Sequence, residues 1–598
     1  MYNACRLLFS RSAVWDSWDT MNKLSKRLQF SPPPLLLLAL ELLTAGHFRA
    51  AAQAGAGPLQ SHDVPRLMTE HGRSTLMVDG QPYFLLGAQV DNSSGWPDRL
   101  RAVWPAAAAL KLNTLEVPVY WEQLEPRKGQ FDFSVVDQIL VQAREHNVRL
   151  VLLWFGTWKN GKMHYVPDWV KSDTATYPRM LSRTGVPIDV LSPNAPANLA
   201  ADSAAFAALM RHLREADPQH TVIMMQVENE SGSLGLVRDF SPMAQKFFDA
   251  QVPADLLRAL HKTSTGTWSQ VFGPDADETF AAWSVARYIN AVAEAGKREL
   301  ALPMYVNNWL ESPRAFPVTT VPGDDYPSGG PTINMFAVWK AEAPAIDLLA
   351  PDIYVPSPDR YRAVMRDFHR ADNPLLIPES LGFEPFPGAI GYARYLYYAL
   401  GEGATGFANF GLDRLNITQP SAESLAQING FALLGSFAQE LAALQFSGKL
   451  QTAVEEEGIS QKELAFSPQG MPLALDGPAS APTAPANAAW RVVVDFPPAS
   501  ADAAPVSTTS DTRSLHEGRA VVASLGPNEF LVAGIDCRVQ FALPVVSRGK
   551  QPQMLKVEEG RYDGTTWVRQ RLWNGDETDY GLNFGGKGAV VRVVLGSY

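Results

Sequence analysis

The chain has 598 residues, a formal net charge of −11 and 46% hydrophobic residues, a composition with ample material for a large folded core. An acidic balance with no run of Lys or Arg interleaved with aromatics argues against a nucleic-acid partner or an anionic membrane surface. The ten histidines show no HxH or HExxH spacing, and no Gly-rich phosphate loop joins a strand to a helix, so neither a metal nor a nucleotide cofactor is expected.

The N-terminus reads as a targeting segment. Lys23, Lys26 and Arg27 form a positive region, Leu35–Leu43 an apolar one and Ala50-Ala51-Ala52-Gln53-Ala54 a small-residue cleavage zone, with Met21 as the start that fits them. Glu41 interrupts the apolar run, and the competing reading of residues 1–55 is a disordered or helical extension. The targeting reading predicts a periplasmic or secreted protein. No segment reaches the roughly 20 apolar residues of a membrane-spanning helix. The cysteines, Cys5 and Cys537, leave Cys537 alone once a leader is removed.

Eight strand candidates follow: 83–90, 113–120, 148–155, 221–228, 303–309, 348–355, 374–379 and 405–411. Helical patterns such as 133–146, 200–216 and 389–400 separate most of them. Alternation of β and α predicts a parallel sheet, and eight units predict closure into a (β/α)8 TIM barrel over residues 62–444. Two stretches interrupt the rhythm, helical 264–299 and the Pro/Gly-rich 317–331. Each follows a strand's C-terminal end and is expected on the face where barrels hold their sites. Beyond residue 445 short alternating runs such as Trp490–Phe496 and Glu529–Ile535, with Pro/Ala-rich spacers, predict an all-β sandwich domain over 445–598.

The chemistry concentrates at two strand tips. Thr221–Glu230, TVIMMQVENE, is an apolar run ending in Glu228, Asn229 and Glu230; Asn373–Glu379, NPLLIPE, has the same shape and ends in Glu379. Carboxylates at the end of a buried strand are costly unless paired or used. Two of them across one barrel mouth match the acid and nucleophile of a glycosidase, whereas two satisfied core carboxylates would be the bland alternative. Glu228 and Glu230 share parity, so alternation leaves open which one acts. Trp121, Trp158 and Trp309 stand near strand tips and could stack on sugar faces or simply pack. Asn307 and Asn308 could bind hydroxyls or cap a strand.

QVENE after an apolar strand resembles the acid/base motif of glycoside hydrolase family 35, the β-galactosidases. Val78-Asp79-Gly80-Gln81-Pro82, Leu112-Asn113-Thr114-Leu115-Glu116 and Leu124-Glu125-Pro126 followed by Gly129-Gln130-Phe131-Asp132-Phe133 are similar to that family too, in its order, over roughly residues 76–380. The resemblance implies a retaining exo-β-glycosidase without cofactor, acting on a carbohydrate substrate, most simply a terminal β-galactoside. It makes Glu230 the acid/base, Asn229 the partner of the sugar 2-hydroxyl, Glu379 the nucleophile and Tyr354 a tyrosine beside it. The sequence departs from the family at Ser231-Gly232, at Val117-Pro118-Val119-Tyr120-Trp121, and at Phe155-Gly156-Thr157-Trp158-Lys159, which replaces an alanine-glutamate pair that holds galactose. The catalytic residues are therefore retained while the sugar-reading residues differ. Another glycan, such as an arabinopyranoside or a plant cell-wall side chain, stays open, as does a barrel that binds sugar without cleaving it. The oligomeric state is not readable.

Overall fold

Eight short parallel strands form the centre of the molecule, and the reason they close into a ring lies at a proline. We label them β1 (Leu85–Gln89), β2 (Thr114–Tyr120), β3 (Arg149–Lys159), β4 (Val222–Asn229), β5 (Met304–Asn308), β6 (Leu348–Ile353), β7 (Leu376–Ile377 and Glu379–Ser380) and β8 (Gly406–Phe410). Pro378 has no N–H to give a ladder and splits β7 in two. The first half pairs with β8, the second with β6, and β8 pairs with β1, so the sheet returns on itself. This is a (β/α)8 barrel, as the alternation of elements predicts. The computed structural model describes residues 63–311, 319–383, 392–475, 485, 487–496, 518–543 and 549–598. The leader-like segment and the rest of residues 1–55 lie outside these, as do most of the two Pro/Ala-rich spacers and part of 317–331.

The strands read as apolar runs because both faces are covered. Inward residues Leu85, Val151, Leu153, Phe155, Ile223, Met224, Leu348, Ala350, Leu376 and Ala408 form a core inside the ring. Leu76 and Val78 join this core from an antiparallel sheet of Arg66–Glu70, Arg73–Val78 and Gln81–Tyr83, packing with the first residues of β1, β6 and β7. They close the N-terminal end of the barrel and leave the C-terminal end for the site. Outward residues meet the helices. The helix Pro196–Ala216 starts with proline at its first turn, where a missing N–H costs nothing, and ends at Asp217. Asp217 then accepts from the N–H groups of Thr221 (2.9 Å) and Val222 (2.8 Å) and pairs with Arg144 (2.7 Å), which fixes how β4 begins.

The long helix Ala276–Glu299 corrects one expectation. Residues 264–299 were expected on the catalytic face, but this helix packs along Pro196–Ala216 as the barrel's own outer helix between β4 and β5. Its inward stripe, including Phe280, Tyr288, Ile289 and Val292, is apolar enough to require that position. Of the Pro/Gly-rich stretch, the described part does reach the C-terminal face: Ser328 and Ser233 exchange backbone hydrogen bonds of 2.9 and 3.0 Å just beyond Glu230.

From residue 450 on, the strands among the described residues pair antiparallel. A six-stranded sheet and a five-stranded sheet enclose a second core built from both, with Phe466, Val492 and Val539 facing Phe530, Val532 and Val591. The six-stranded sheet is covered on its other side as well. Val521, Ala523, Leu531, Ala533 and Ile535 belong to the outer core of the barrel, whose helices Tyr395–Gly401 and Ala422–Gly435 lie against these strands. Arg519, fully buried, ties the two layers by donating to the Ala426 carbonyl at 2.7 Å. No helix among the described residues is long and apolar enough to cross a membrane.

Candidate active site

On β1 and β6 the inward phase carries apolar residues at the N-terminal end of the barrel and a polar one at the C-terminal end. On β1 the sequence Leu85, Gly87, Gln89 ends in glutamine; on β6 Leu348, Ala350, Asp352 ends in a carboxyl. Glu379 follows Pro378 and stands in register with Asp352 on the neighbouring strand. Glu230 comes from just past β4. One carboxylate oxygen of each of Glu230, Asp352 and Glu379 lies within 4.8 Å of the others.

Each carboxyl is held by named neighbours. Tyr354 Oη donates to Glu379 Oε1 at 2.5 Å and Gln89 Nε2 donates to Oε2 at 3.2 Å, so both oxygens of Glu379 are oriented. Burial and the charge of Glu379 push the Tyr354 hydroxyl well above its ordinary value, which keeps it a donor. Asn307, inward on β5, accepts from the Glu230 N–H at 3.0 Å and donates to Asp352 Oδ2 at 2.8 Å. Asn229 accepts from Gln226 at 3.0 Å and donates to Asn160 at 3.3 Å. Its amide admits a second orientation, in which the oxygen accepts from Lys159 Nζ at 2.9 Å. Lys159 ends β3 buried, its ammonium 5.0 Å from the Phe155 ring centre.

The electrostatics follow from crowding acids in a dry place. Burial, and then the neighbouring Glu379, push Glu230 from 4.5 up to about 7, with Lys159 pulling the other way. Burial, Glu379 and Glu230 push Asp352 well above the carboxylate range. Glu116, inward on β2, is raised by burial and by Glu379, and accepts from Tyr305 at 3.4 Å. With Tyr354, Gln89 and Asn307 donating to these oxygens and an ammonium at hand, the group is furnished to move protons rather than to cage a cation.

Backbone conformation turns Glu228 and Glu230 to different sides. Glu228 has φ +64° and Glu230 φ +44°, both left-handed, a state few non-glycine residues adopt. The turn at Glu228 breaks the strand's alternation. Glu228 points outward, where its Oε2 accepts from the Trp158 N–H at 2.7 Å and its carboxyl meets Asp202, while Asn229 and Glu230 face the mouth. Gly156 makes room behind it: a Cβ there would stand 2.7 Å from Glu228 Oε1 and 2.9 Å from Asp202 Oδ1.

Of the residues singled out in the sequence, Glu230, Glu379, Asn229 and Tyr354 come together in this mouth. Trp309 stands half-buried just past β5. Trp158 and Trp121 do not reach the mouth: Trp158 is 1% exposed and packs edge-on against Tyr288, while Trp121 starts a helical turn and donates to Glu125 at 2.9 Å. Both belong to the packed shell outside the barrel wall. Asn308 is turned to the other side of β5 from Asn307 and donates to the Trp309 carbonyl at 2.9 Å. Sequence reasoning missed Asp352, Gln89 and Lys159. The period of two back from Tyr354 pointed to Asp352, and the same period along β1 pointed to Gln89.

Comparison with known proteins adds the following. Residues 428–585 match a family model described as a domain of unknown function, DUF5597. A β-galactosidase of Xanthomonas manihotis is 33% identical over 163 residues, which is 26% of this chain and 25% of that protein. The match thus spans about a quarter of the relative's length. Among solved structures, a β-galactosidase from Rahnella sp. R3 aligns with TM-score 0.42 at 18% identity, covering 60% of this chain and 57% of that one. An exo-β-1,4-mannosidase, Op5Man5 from Opitutaceae bacterium strain TAV5, aligns with TM-score 0.40 at 14% identity, covering 63% of each chain.

Proposed function

We propose that this chain is a glycoside hydrolase, exported, that removes terminal non-reducing β-linked sugars, β-galactosides first among them, with retention of configuration. The observation that carries the reading is the approach of Glu230 and Glu379 within 4.8 Å at the open end of the barrel. Retaining enzymes hold their two carboxyls about 5–5.5 Å apart, whereas inverting enzymes leave room for a water at about 6.5–9.5 Å.

Glu379, oriented by Tyr354 and Gln89, faces the anomeric carbon and forms the covalent intermediate. Glu230, pushed up to about 7, carries a proton to the leaving oxygen and then takes one from the incoming water. We assign Asn229 to a sugar hydroxyl and the half-buried Trp309 to a sugar ring. The partial identity with a β-galactosidase supports a galactoside. A second reading, the same chemistry on another glycan, draws on β3, where Lys159 enters the site in place of a sugar-holding carboxylate.

Replacing Glu379 by alanine tests the reading. Turnover of an aryl β-galactoside should vanish, and added azide should return a glycosyl azide of inverted configuration. A Glu379→Ala enzyme that still hydrolyses with retention would refute it.

A further inference from the structure

Two carboxyls suffice for a double displacement, yet a third, Asp352, brings an oxygen within 4.8 Å of both. It stands beside Glu379 in strand register, and its side chain meets that of Glu230. The groups facing this pair are Glu379 on β7, Lys159 on β3, Tyr305 on β5 and Tyr354 beyond β6. Only Lys159 among them is a cation. Two carboxylates cannot hydrogen-bond to one another unless one keeps a proton. Three anions around one ammonium in a buried mouth are also disfavoured. The contact therefore holds a proton, and that proton belongs to the pair.

We propose that Asp352 is a positioning residue that shares one proton with Glu230, so that the acid/base side chain meets the leaving-group oxygen already carrying it. The inference rests on the two-glutamate reading above. In the first half-reaction the anomeric carbon–oxygen bond breaks, the bond to Glu379 forms, and the shared proton passes to the leaving oxygen. The pair is then doubly anionic, but Glu379 has become a neutral ester, so the charge of the cluster is unchanged. In the second half-reaction water gives its proton back to the pair as its oxygen attacks, and Glu379 leaves as carboxylate. Asp352 thus makes the proton transfer in each half-reaction a movement of charge within one cluster, without net accumulation.

The test is Asp352→Asn, which keeps the shape and the bond from Asn307 but cannot share a proton. Infrared titration of the unliganded protein should show a carboxylic acid band persisting about one pH unit or more higher in the parent than in the variant. With an aryl glycoside of poor leaving ability, the alkaline limb of kcat/KM should move down by about one pH unit or more. Asp352→Ala, which admits water, should move the limb the same way. A merely structural role would lower all rates and leave the limb in place. An unmoved or raised alkaline limb in both active variants, or an unchanged band, overturns the proposal. If the parent cleaves no glycoside while the band still shifts, the glycosidase reading falls and the shared proton stands.

Discussion

Glu230→Gln should cripple turnover and yet gain stability as the pH rises. In the folded chain Glu230 titrates near 7 instead of 4.5, because folding buries it beside Glu379. Below about 4.5 the group is protonated whether the chain is folded or not, and it imposes no cost. Between 4.5 and 7 the folded chain holds a proton that the unfolded chain has lost, so stability falls as pH rises, and above 7 the whole penalty persists. That interval corresponds to roughly 3 kcal/mol. Glutamine has the same shape and no charge, so it lifts the penalty. Melting temperatures of parent and variant, measured from pH 4.5 to 8, should draw apart by a few degrees in the variant's favour toward pH 8. Asp352, Glu116 and Glu228 are raised in the same direction, so the parent itself should melt lower at pH 8 than at pH 5. A difference independent of pH, or one that widens toward acid, would refute the reasoning.

Tyr354→Phe removes the hydroxyl that donates to Glu379; a hydrogen bond to a charged group is worth about 1.5–3 kcal/mol, so kcat/KM should fall roughly ten- to a hundredfold with melting nearly unchanged. A loss below about threefold would mean that Gln89 alone orients the nucleophile. Gly156→Ala places a methyl 2.3 Å from Trp154 Nε1 and 2.7 Å from Glu228 Oε1, an overpacking that should cost about 1–3 kcal/mol and lower kcat by moving the β4 tip. A variant that melts and turns over like its parent would show that the space behind Glu228 yields.

The barrel was legible because strands covered on both faces read as apolar runs and because their polar tips mark the open end. What a single chain does not carry is the phase of a strand near an irregularity. At the end of β3 the pairing with β4 slips between Trp154 and Lys159, and counting by twos from Phe155 would turn Thr157 inward, whereas it bonds Asp202 and Tyr288 on the outer side. The tryptophan goes to the apolar shell and the lysine to the polar mouth, the reverse of a reading that puts Trp158 on a sugar face. On β5 the choice between Asn307 and Asn308 needed the inward phase of Tyr305, which only the closed ring supplies. In the second core, Trp490–Asp495 alternates cleanly and was readable, whereas Pro552–Asp563 and Thr566–Leu572 carry few buried residues and no such pattern.

The β4 tip shows how two glutamates two residues apart acquire separate tasks. Had the strand run on regularly, both would face the mouth, adding a further acid to a cluster with one ammonium. The left-handed turn at Glu228 costs on the order of 1 kcal/mol for a residue with a side chain. It sends that carboxyl back to Asp202, itself fixed by Trp154 (2.9 Å) and Thr157 (2.6 Å). The side-chain contact between Glu228 and Asp202 calls for a retained proton, so this rear pair resembles the front pair of Glu230 and Asp352 in chemistry. It differs in access: the rear pair is sealed behind Trp158 and Tyr288, where no substrate can draw the proton off. A buried acid pair with no exit for its proton can only anchor, whereas the pair that opens onto the barrel mouth is the acid catalyst of the function proposed above. The left-handed backbone at Glu228 and Glu230 sets which carboxyl faces the rear and which the mouth.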